Sequence, residues 1–336
     1  MIRKMAALLM LCGSAFSFQS FDKMRLPDKM PLPQKPSLRT VIIDPGHGGI
    51  DPGTHGLMSK EKNVALEISL KLGKALQREY PDLKIVYTRT KDQLPGNSRT
   101  IRDGIRYRAE LTNREHGDLF ICIHCNSNGE PAGRYSVQEL SGYKTVGRGR
   151  KKHKVPVYVT RWITNNKTGT ATYIWKADRN IPKGVAINQR NGENMGDTDN
   201  SAYDLSSPEA QMSALLYEKK YFANSVLFGT LVENAFKKAG RRSEGVLQRQ
   251  IGIGVLQATG MPSVLIETGY LTNTEEERYL NSPSGQDQVV SDIMTAFRQY
   301  VNLTSGTRSG TSSGEQPGSK NVNGKTPPKG NAIRRE

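Results

Sequence analysis

Three short apolar runs, separated by segments with helical periodicity, most constrain what this chain of 336 residues can fold into. Each run has the length of a strand, is rich in β-branched residues, and stops at polar or glycine residues. Because strands that alternate with helices usually form a parallel sheet covered on both faces, the pattern predicts a three-layer α/β/α fold with a central, mostly parallel, twisted sheet. The runs are residues 40–43, 119–124 and 264–266.

The other elements follow from periodicity and from end signals. Ser59 is predicted to cap the first helix, and Thr274 with Glu277 matches a capping box that opens a short helix. Longer helices are predicted over 60–80, 101–115, 209–239 and 286–303, and further strands over 84–88, 158–164, 170–175 and 255–257.

The ends of the chain and one internal segment differ in composition from the rest. A short basic start followed by an apolar run over 5–16, too short to span a bilayer, predicts a signal peptide over 1–20 and therefore export to the periplasm or cell envelope. An alternative is a lipoprotein acylated at Cys12. The predicted organisation is a Pro-rich linker over 21–38, one catalytic domain over 39–303 with a basic, Gly-rich insertion over 127–208, and a disordered tail over 304–336.

The charge balance favours an anionic partner. Lys and Arg number 48 and Asp and Glu number 32, so the net charge is +16. A positive field of this size suits either nucleic acid or an acidic cell envelope. The chain has no zinc-finger or helix-turn-helix pattern and carries an export signal, so we do not expect nucleic acid as the partner.

Four polar residues stand where a sheet of this kind gathers ligands. His47, His124 and Glu267 all fall at the carboxyl ends of predicted strands, the edge at which open α/β sheets bind ligands. Glu61 lies in the first turn of the helix after the first strand, next to its apolar stripe. An ionised carboxylate turned toward a core needs a compensating charge or a metal.

This set of residue types suits a metal-dependent hydrolase. Two imidazoles and one carboxylate are a known ligand set for catalytic zinc and leave a fourth position for water. A second carboxylate can relay protons, while zinc polarises an amide carbonyl and activates water at neutral pH. The residues therefore predict hydrolysis of an amide, without specifying which amide.

Several segments together resemble a known family. They are similar to the zinc-dependent N-acetylmuramoyl-L-alanine amidases of the type 3 cell-wall family, in the same order along the chain and over most of 39–303 apart from the insertion. The segments are 41–53, 61–64, 88–89, 118–127 and 261–273.

The resemblance implies roles and a substrate. It implies that His47, Glu61 and His124 hold zinc and that Glu267 is the catalytic carboxylate. It also implies that the substrate is peptidoglycan, cleaved between the lactyl group of N-acetylmuramic acid and L-alanine of the stem peptide.

Two residues depart from, or add to, the family pattern. Cys122 stands where family members usually carry a small residue, and we expect it to be a packing residue rather than a metal ligand. Glu193, with Asn194 and Met195, resembles the start of a helix that covers the zinc site in some relatives until a protein activator removes it. Glu193 is therefore a candidate zinc-blocking residue within the insertion.

Two other functions remain open from the sequence alone. A zinc peptidase or carboxypeptidase that acts on another amide would need the same metal ligands. A catalytically silent wall-binding protein could keep the fold, although the presence of all four site residues argues against it.

Overall fold

The structure is a computed structural model of the chain, and it describes residues 38–175, 208–249 and 254–306. The predicted signal peptide, Cys12, nearly all of the linker, Glu193 and the chain after residue 306 lie outside the described residues. The predictions for these segments are therefore not tested.

Six of the eight strands within the described residues form one twisted sheet. The strands are β1 (Thr40–Pro45), β2 (Lys84–Tyr87), β3 (Leu119–Asn126), β4 (Arg134–Val146), β5 (His153–Thr164), β6 (Thr170–Trp175), β7 (Ser243–Arg249) and β8 (Ser263–Tyr270). The order in the sheet is β2-β1-β3-β8-β6-β7. Neighbouring strands are parallel except for β6 and β8, which are antiparallel. The prediction of a mostly parallel sheet is confirmed.

Helices cover both faces of this sheet, as predicted. They are α1 (Glu61–Glu79), α2 (Ile101–Arg114), α3 (Pro208–Lys238), α4 (Gly254–Gln257), α5 (Thr274–Asn281) and α6 (Pro283–Gly306). Because successive strand residues point to opposite faces, Ile43 and Ile121 pack with α1, α3 and α6, while Ile42 and Phe120 pack with α4 on the other face. None of the described helices combines the length and the apolar character needed to cross a membrane.

The predicted insertion over 127–208 is not one piece. Its residues 170–175 form β6, which lies between β8 and β7 in the main sheet. Residues 134–164 form a separate antiparallel two-stranded sheet, which we call the β4–β5 ribbon. The low periodicity of this segment arises because both faces of the ribbon are largely exposed, so that neither face requires an apolar stripe.

One predicted strand is wrong, and one strand of the main sheet was not predicted. Residues 255–257 lie in helix α4 and not in a strand, since a short apolar run does not by itself distinguish the two. Strand β7 was missed because its residues carry little apolar alternation. At the end of the domain, residues 304–306, assigned to the tail, continue helix α6.

The predicted helix caps at Ser59 and Thr274 are also wrong. Lys60 is the N-cap of α1 and makes no side-chain cap. Asn273 caps α5 by accepting hydrogen bonds from the N–H groups of Glu275 and Glu276. Glu277 is fully buried and instead accepts hydrogen bonds from the loop before α1. Its donors are the N–H groups of Leu57, Met58 and Ser59 and the Ser59 hydroxyl.

Replacing Glu277 with alanine is expected to lower the free energy of unfolding by about 3 kcal/mol, because several buried donors would lose a charged acceptor. Urea denaturation measures this change. Glu275→Ala is the matched control, since Glu275 is an exposed glutamate of the same helix. Equal loss in both variants would contradict a specific role for Glu277.

Candidate metal centre and active site

The loop that carries His47 is tightly packed against the other site residues. His47 follows β1 with a left-handed backbone (φ 59°). Gly53, also left-handed (φ 64°), closes the loop over the site. A Cβ atom on Gly53 would lie 2.6 Å from both Glu61 Oε2 and the His47 ring. Only glycine therefore leaves room for the two side chains to approach each other.

Two buried arginines fix the backbone of this loop. Arg108 donates to the carbonyl of His47 at 2.7 Å and also binds Asp44. Arg89 donates to the carbonyls of Gly46 at 2.6 Å and Lys62 at 2.7 Å. The loop of His47 is thereby connected to the first turn of α1, which carries Glu61.

Glu61 lies at the centre of the site. Its Oε1 lies 3.2 Å from His47 Nε2 and 2.7 Å from His124 Nδ1, and it accepts the Cys125 N–H at 3.0 Å. Its Oε2 accepts the Thr54 N–H at 2.8 Å. Burial alone would raise the pKa of this carboxyl, but the hydrogen bonds and charges of His124 and His47 hold it well below its usual value. Glu61 is therefore ionised.

Asp51 orients the ring of His47. Its Oδ2 lies 2.9 Å from His47 Nδ1, so that Nε2 faces Glu61. In metal sites, the ring nitrogen of a histidine that does not bind the metal commonly makes a hydrogen bond to a carboxylate, which fixes the orientation of the ring. Although burial lowers the pKa of His47, Glu61 and Asp51 outweigh it and raise the pKa to about 8.

One donor atom from each of His47, Glu61 and His124 lies within 4.8 Å of the others. The two imidazole rings meet edge to face with centroids 4.8 Å apart. The three side chains predicted as ligands therefore converge, as expected from their places at one edge of the sheet. Two nitrogen donors and one ionised oxygen donor are compatible with a metal cofactor.

Glu267 lies in β8, in register with His124 of β3 and Ala171 of β6. Its side chain is buried, and no described residue makes a hydrogen bond to its Oε2. Burial, followed by the charge of Glu61, raises the pKa of Glu267 to about 8, although Arg249 and His47 act in the opposite direction. A carboxyl whose pKa is raised to this value can gain or lose a proton close to neutral pH.

These residues open into one cavity of about 440 Å³. All four predicted site residues contribute to its wall. The lining residues are His47, Gly53, Thr54, Glu61, His124, Cys125, Asn126, Ser127, Arg249, Leu265 and Glu267.

The two cysteines of the described residues are buried free thiols. Cys122 Sγ donates to Asp44 Oδ2 at 3.0 Å, and burial together with the charge of Asp44 raises its pKa well above the usual value. Cys122 thus remains a thiol in the core rather than a thiolate at the site, in agreement with its prediction as a packing residue.

The sequence reasoning missed Asp51, Arg108 and Arg249. Asp51 could have been found, because an acidic residue four positions after a candidate ligand in a Gly-rich loop can fold back on it. Arg249 could not have been found in this way, because it ends strand β7, which was not predicted.

A family model described as N-acetylmuramoyl-L-alanine amidase matches residues 41–299, which is more than half of the chain. The chain belongs to this family. The match begins in β1 and ends in α6, so it includes the metal-compatible cluster and Glu267. The resemblance noted in the sequence is thereby confirmed.

Curated members of the amidase family are similar to this chain at low identity. AmiC from Escherichia coli O6:H1 is 26% identical over 263 residues, which are 77% of this chain and 52% of that protein. The germination-specific amidase of Bacillus subtilis is 23% identical over 299 residues, which are 87% of this chain and 90% of that protein. The chain spans about half the length of AmiC, and 48% of the probable amidase AmiB of Haemophilus influenzae.

Among solved structures, that of the N-acetylmuramoyl-L-alanine amidase from Clostridium difficile 630 is similar with a TM-score of 0.47 and 23% identity. The alignment covers 78% of this chain and 96% of that one.

Proposed function

We propose that this chain is a zinc-dependent N-acetylmuramoyl-L-alanine amidase that acts on peptidoglycan. The reaction is hydrolysis of the amide between the lactyl group of N-acetylmuramic acid and L-alanine of the stem peptide. The observation that carries the proposal is the convergence of His47, Glu61 and His124 with the buried Glu267 in one cavity, in a chain of the amidase family.

The three converging side chains fit zinc. His47 Nε2, a Glu61 oxygen and His124 Nδ1 would hold the ion, because these are the donor atoms that face one another. Bound there, zinc would polarise the amide carbonyl and lower the pKa of a water molecule. Asp51 keeps His47 in the tautomer whose Nε2 is free to bind.

Glu267 is proposed as the group that moves the proton. Its carboxylate takes a proton from the attacking water and returns it to the leaving nitrogen of L-alanine. The buried Oε2 atom has no hydrogen bond to any described residue, so its hydrogen-bonding capacity is not used by another described group. A pKa of about 8 suits a group that must both accept and donate near neutral pH.

We further propose that the chain is exported and acts in the periplasm or cell envelope, where peptidoglycan lies. The signal peptide predicted over 1–20 supports this location. A protein activator that displaces the predicted blocking residue Glu193 remains part of the proposal.

The proposed function is tested by incubating the zinc-loaded protein with purified sacculi and identifying new end groups. We expect free amino termini of L-alanine with no loss of D-alanine, and no reaction after chelation. Release of D-alanine would instead identify a carboxypeptidase. If no L-alanine termini formed with zinc bound, and deletion of 176–207 did not restore activity, the proposed function would be wrong.

Binding of zinc to the metal-free protein is expected to release protons. Because the pKa of His47 is raised to about 8, this ring is mostly protonated at lower pH and must lose its proton before Nε2 can bind a metal. The apparent affinity should therefore rise up to about tenfold per pH unit below pH 8 and flatten above it.

Calorimetric titration in two buffers with different ionisation enthalpies counts the released protons. The Asp51→Asn variant removes one carboxylate that raises the pKa of His47, so its affinity should flatten at a lower pH. Zinc affinity that stays constant between about pH 6 and pH 8 would contradict this linkage.

A further inference from the structure

The β4–β5 ribbon takes no part in the proposed reaction, yet it exposes several large apolar side chains. It is a two-stranded sheet separate from the main sheet, an arrangement that is marginally stable alone in water. Exposed aromatic side chains on such an element usually mark an interaction surface. The exposed fractions are 48% for Leu140, 64% for Tyr143, 55% for Tyr158 and 58% for Trp162.

These side chains share one face of the ribbon. Tyr158 and Trp162 are an even number of positions apart in β5, so their side chains point to the same face. Leu140 is paired with Tyr158, and Ser136 is paired with Trp162, so these partners lie on that face too. The shift in register after Leu140 brings Tyr143 opposite Pro156 on the same face. We call this the aromatic face.

The aromatic face also carries hydrogen-bonding groups and no acidic residue. Gln138 Nε2 donates to Thr160 Oγ1 at 3.0 Å between the aromatic positions, and Arg134 lies 5.1 Å above the Trp162 ring. The single acidic residue of the ribbon, Glu139, is on the opposite face, where it pairs with Arg161 at 3.4 Å.

The tip of the ribbon is strongly cationic. The ribbon has eight Lys or Arg residues, and six of them lie between residues 144 and 154, where there is no Asp or Glu. The aromatic side chains occupy the shaft of the ribbon and the cations its end. These cations are Lys144, Arg148, Arg150, Lys151, Lys152 and Lys154.

The base of the ribbon is fixed beside the candidate active site. Asn126 and Ser127, at the end of β3, line the site cavity. Asn128 and Asn165 exchange side-chain hydrogen bonds of 3.0 and 2.9 Å across the base. The N–H of Gly133 donates to the carbonyl of Thr272 just after β8, the strand of Glu267. The ribbon therefore begins at the same sheet edge as the cavity.

We propose that the ribbon is a binding arm for the polymeric substrate. The aromatic face holds an uncleaved length of the peptidoglycan glycan strand, and the cationic tip binds the carboxylates of stem peptides. The inference rests on the proposed function for the identity of the polymer.

The arrangement favours a glycan strand over other anionic partners. Sugar rings offer C–H faces to aromatic rings and hydroxyls to amides such as Gln138. A hairpin that inserts into a membrane would need apolar residues at its tip, and this tip is cationic. Single-stranded nucleic acid also stacks on aromatic residues, but the fixed base of the arm adjoins a cavity whose proposed substrate is a glycopeptide.

Three variants of the full chain test the arm. The aromatic-face variant is Tyr158→Thr with Trp162→Thr. Threonine removes the aromatic ring but is β-branched and therefore favours the strand. The tip variant is Lys151→Ser, Lys152→Ser and Lys154→Ser. The matched control is Val159→Thr, an exposed position on the opposite face. All positions are exposed, and equal thermal midpoints would verify that each variant folds.

Binding is measured on purified sacculi, on stem-free glycan strands, on single-stranded DNA and on phosphatidylglycerol vesicles. We expect the aromatic-face variant to bind sacculi and stem-free strands about tenfold more weakly. The tip variant should bind sacculi more weakly than the unmodified chain does, but should bind stem-free strands equally well. The difference on sacculi should shrink as the salt concentration rises. The control should bind as the unmodified chain does.

A short soluble muramyl peptide separates the arm from the reaction. All three variants should hydrolyse it at the unmodified rate, because it does not reach the ribbon. If neither the unmodified chain nor the chain without residues 176–207 hydrolyses this peptide with zinc bound, the proposed function is wrong. The comparison of glycan binding still tests the arm in that case. Unchanged glycan binding by the aromatic-face variant, or tighter binding of the unmodified chain to DNA or vesicles than to glycan, would overturn the proposal.

Discussion

Replacing Glu267 with glutamine is expected to lower the rate of amide hydrolysis by about a thousandfold while zinc binding is retained. The amide keeps the size of the side chain but cannot accept the proton of the attacking water. Because Glu267 is not part of the converging donor set, the metal content should stay close to one ion per chain. Rates of release of L-alanine amino termini and metal analysis together measure the effect.

Glu244→Gln is the control for this variant. Glu244 is a partly buried carboxylate of β7 that does not line the cavity. It accepts a hydrogen bond of 3.1 Å from the hydroxyl of Tyr270, which ends β8, the strand that carries Glu267. It should leave the rate almost unchanged. Full activity of Glu267→Gln would show that the proton is moved by another group.

Replacing Glu61 with glutamine is expected to remove both zinc and activity. Glu61 is the buried group that contacts both imidazoles, and the neutral amide would present a weaker donor to the metal. We expect zinc affinity to fall by at least about 100-fold, which exceeds the usual effect of a supporting residue. Metal retained after dialysis against a competing chelator measures this loss.

Glu67→Gln is the matched control on the same helix. Glu67 is exposed and accepts from Gln286 at 2.6 Å, away from the site. This variant should keep zinc and activity. A Glu61→Gln protein that binds zinc as tightly as the unmodified chain would exclude Glu61 as a ligand.

The main part of the sheet could be predicted because its strands are buried on both faces. Strands β1, β3 and β8 read as continuous apolar runs, and each ends at residues that cannot be buried without a partner. The convergence of His47, His124 and Glu267 then follows from the parallel arrangement, in which the carboxyl ends of strands meet at one edge.

The edge of the sheet and the ribbon could not be predicted in the same way. Strand β7 has one neighbour and is only partly buried, so its sequence carries little of the pattern that burial imposes. Strand β6 was found, but its place in the main sheet depends on contacts with residues far away in the sequence. The antiparallel direction of β6 has no local signal at all.

The position of β8 in the sheet has a consequence for how the chain folds. This strand is the last of the eight in sequence, yet it lies between β3 and β6 and joins the two halves of the sheet. Its pairing with β3 links residues more than 140 positions apart, so a large loop must close before those hydrogen bonds can form. During synthesis, the proposed ligands His47, Glu61 and His124 emerge long before Glu267 does. The acquisition of catalytic competence is therefore a late event in folding, and a nascent chain that stops before β8 lacks the centre of its sheet.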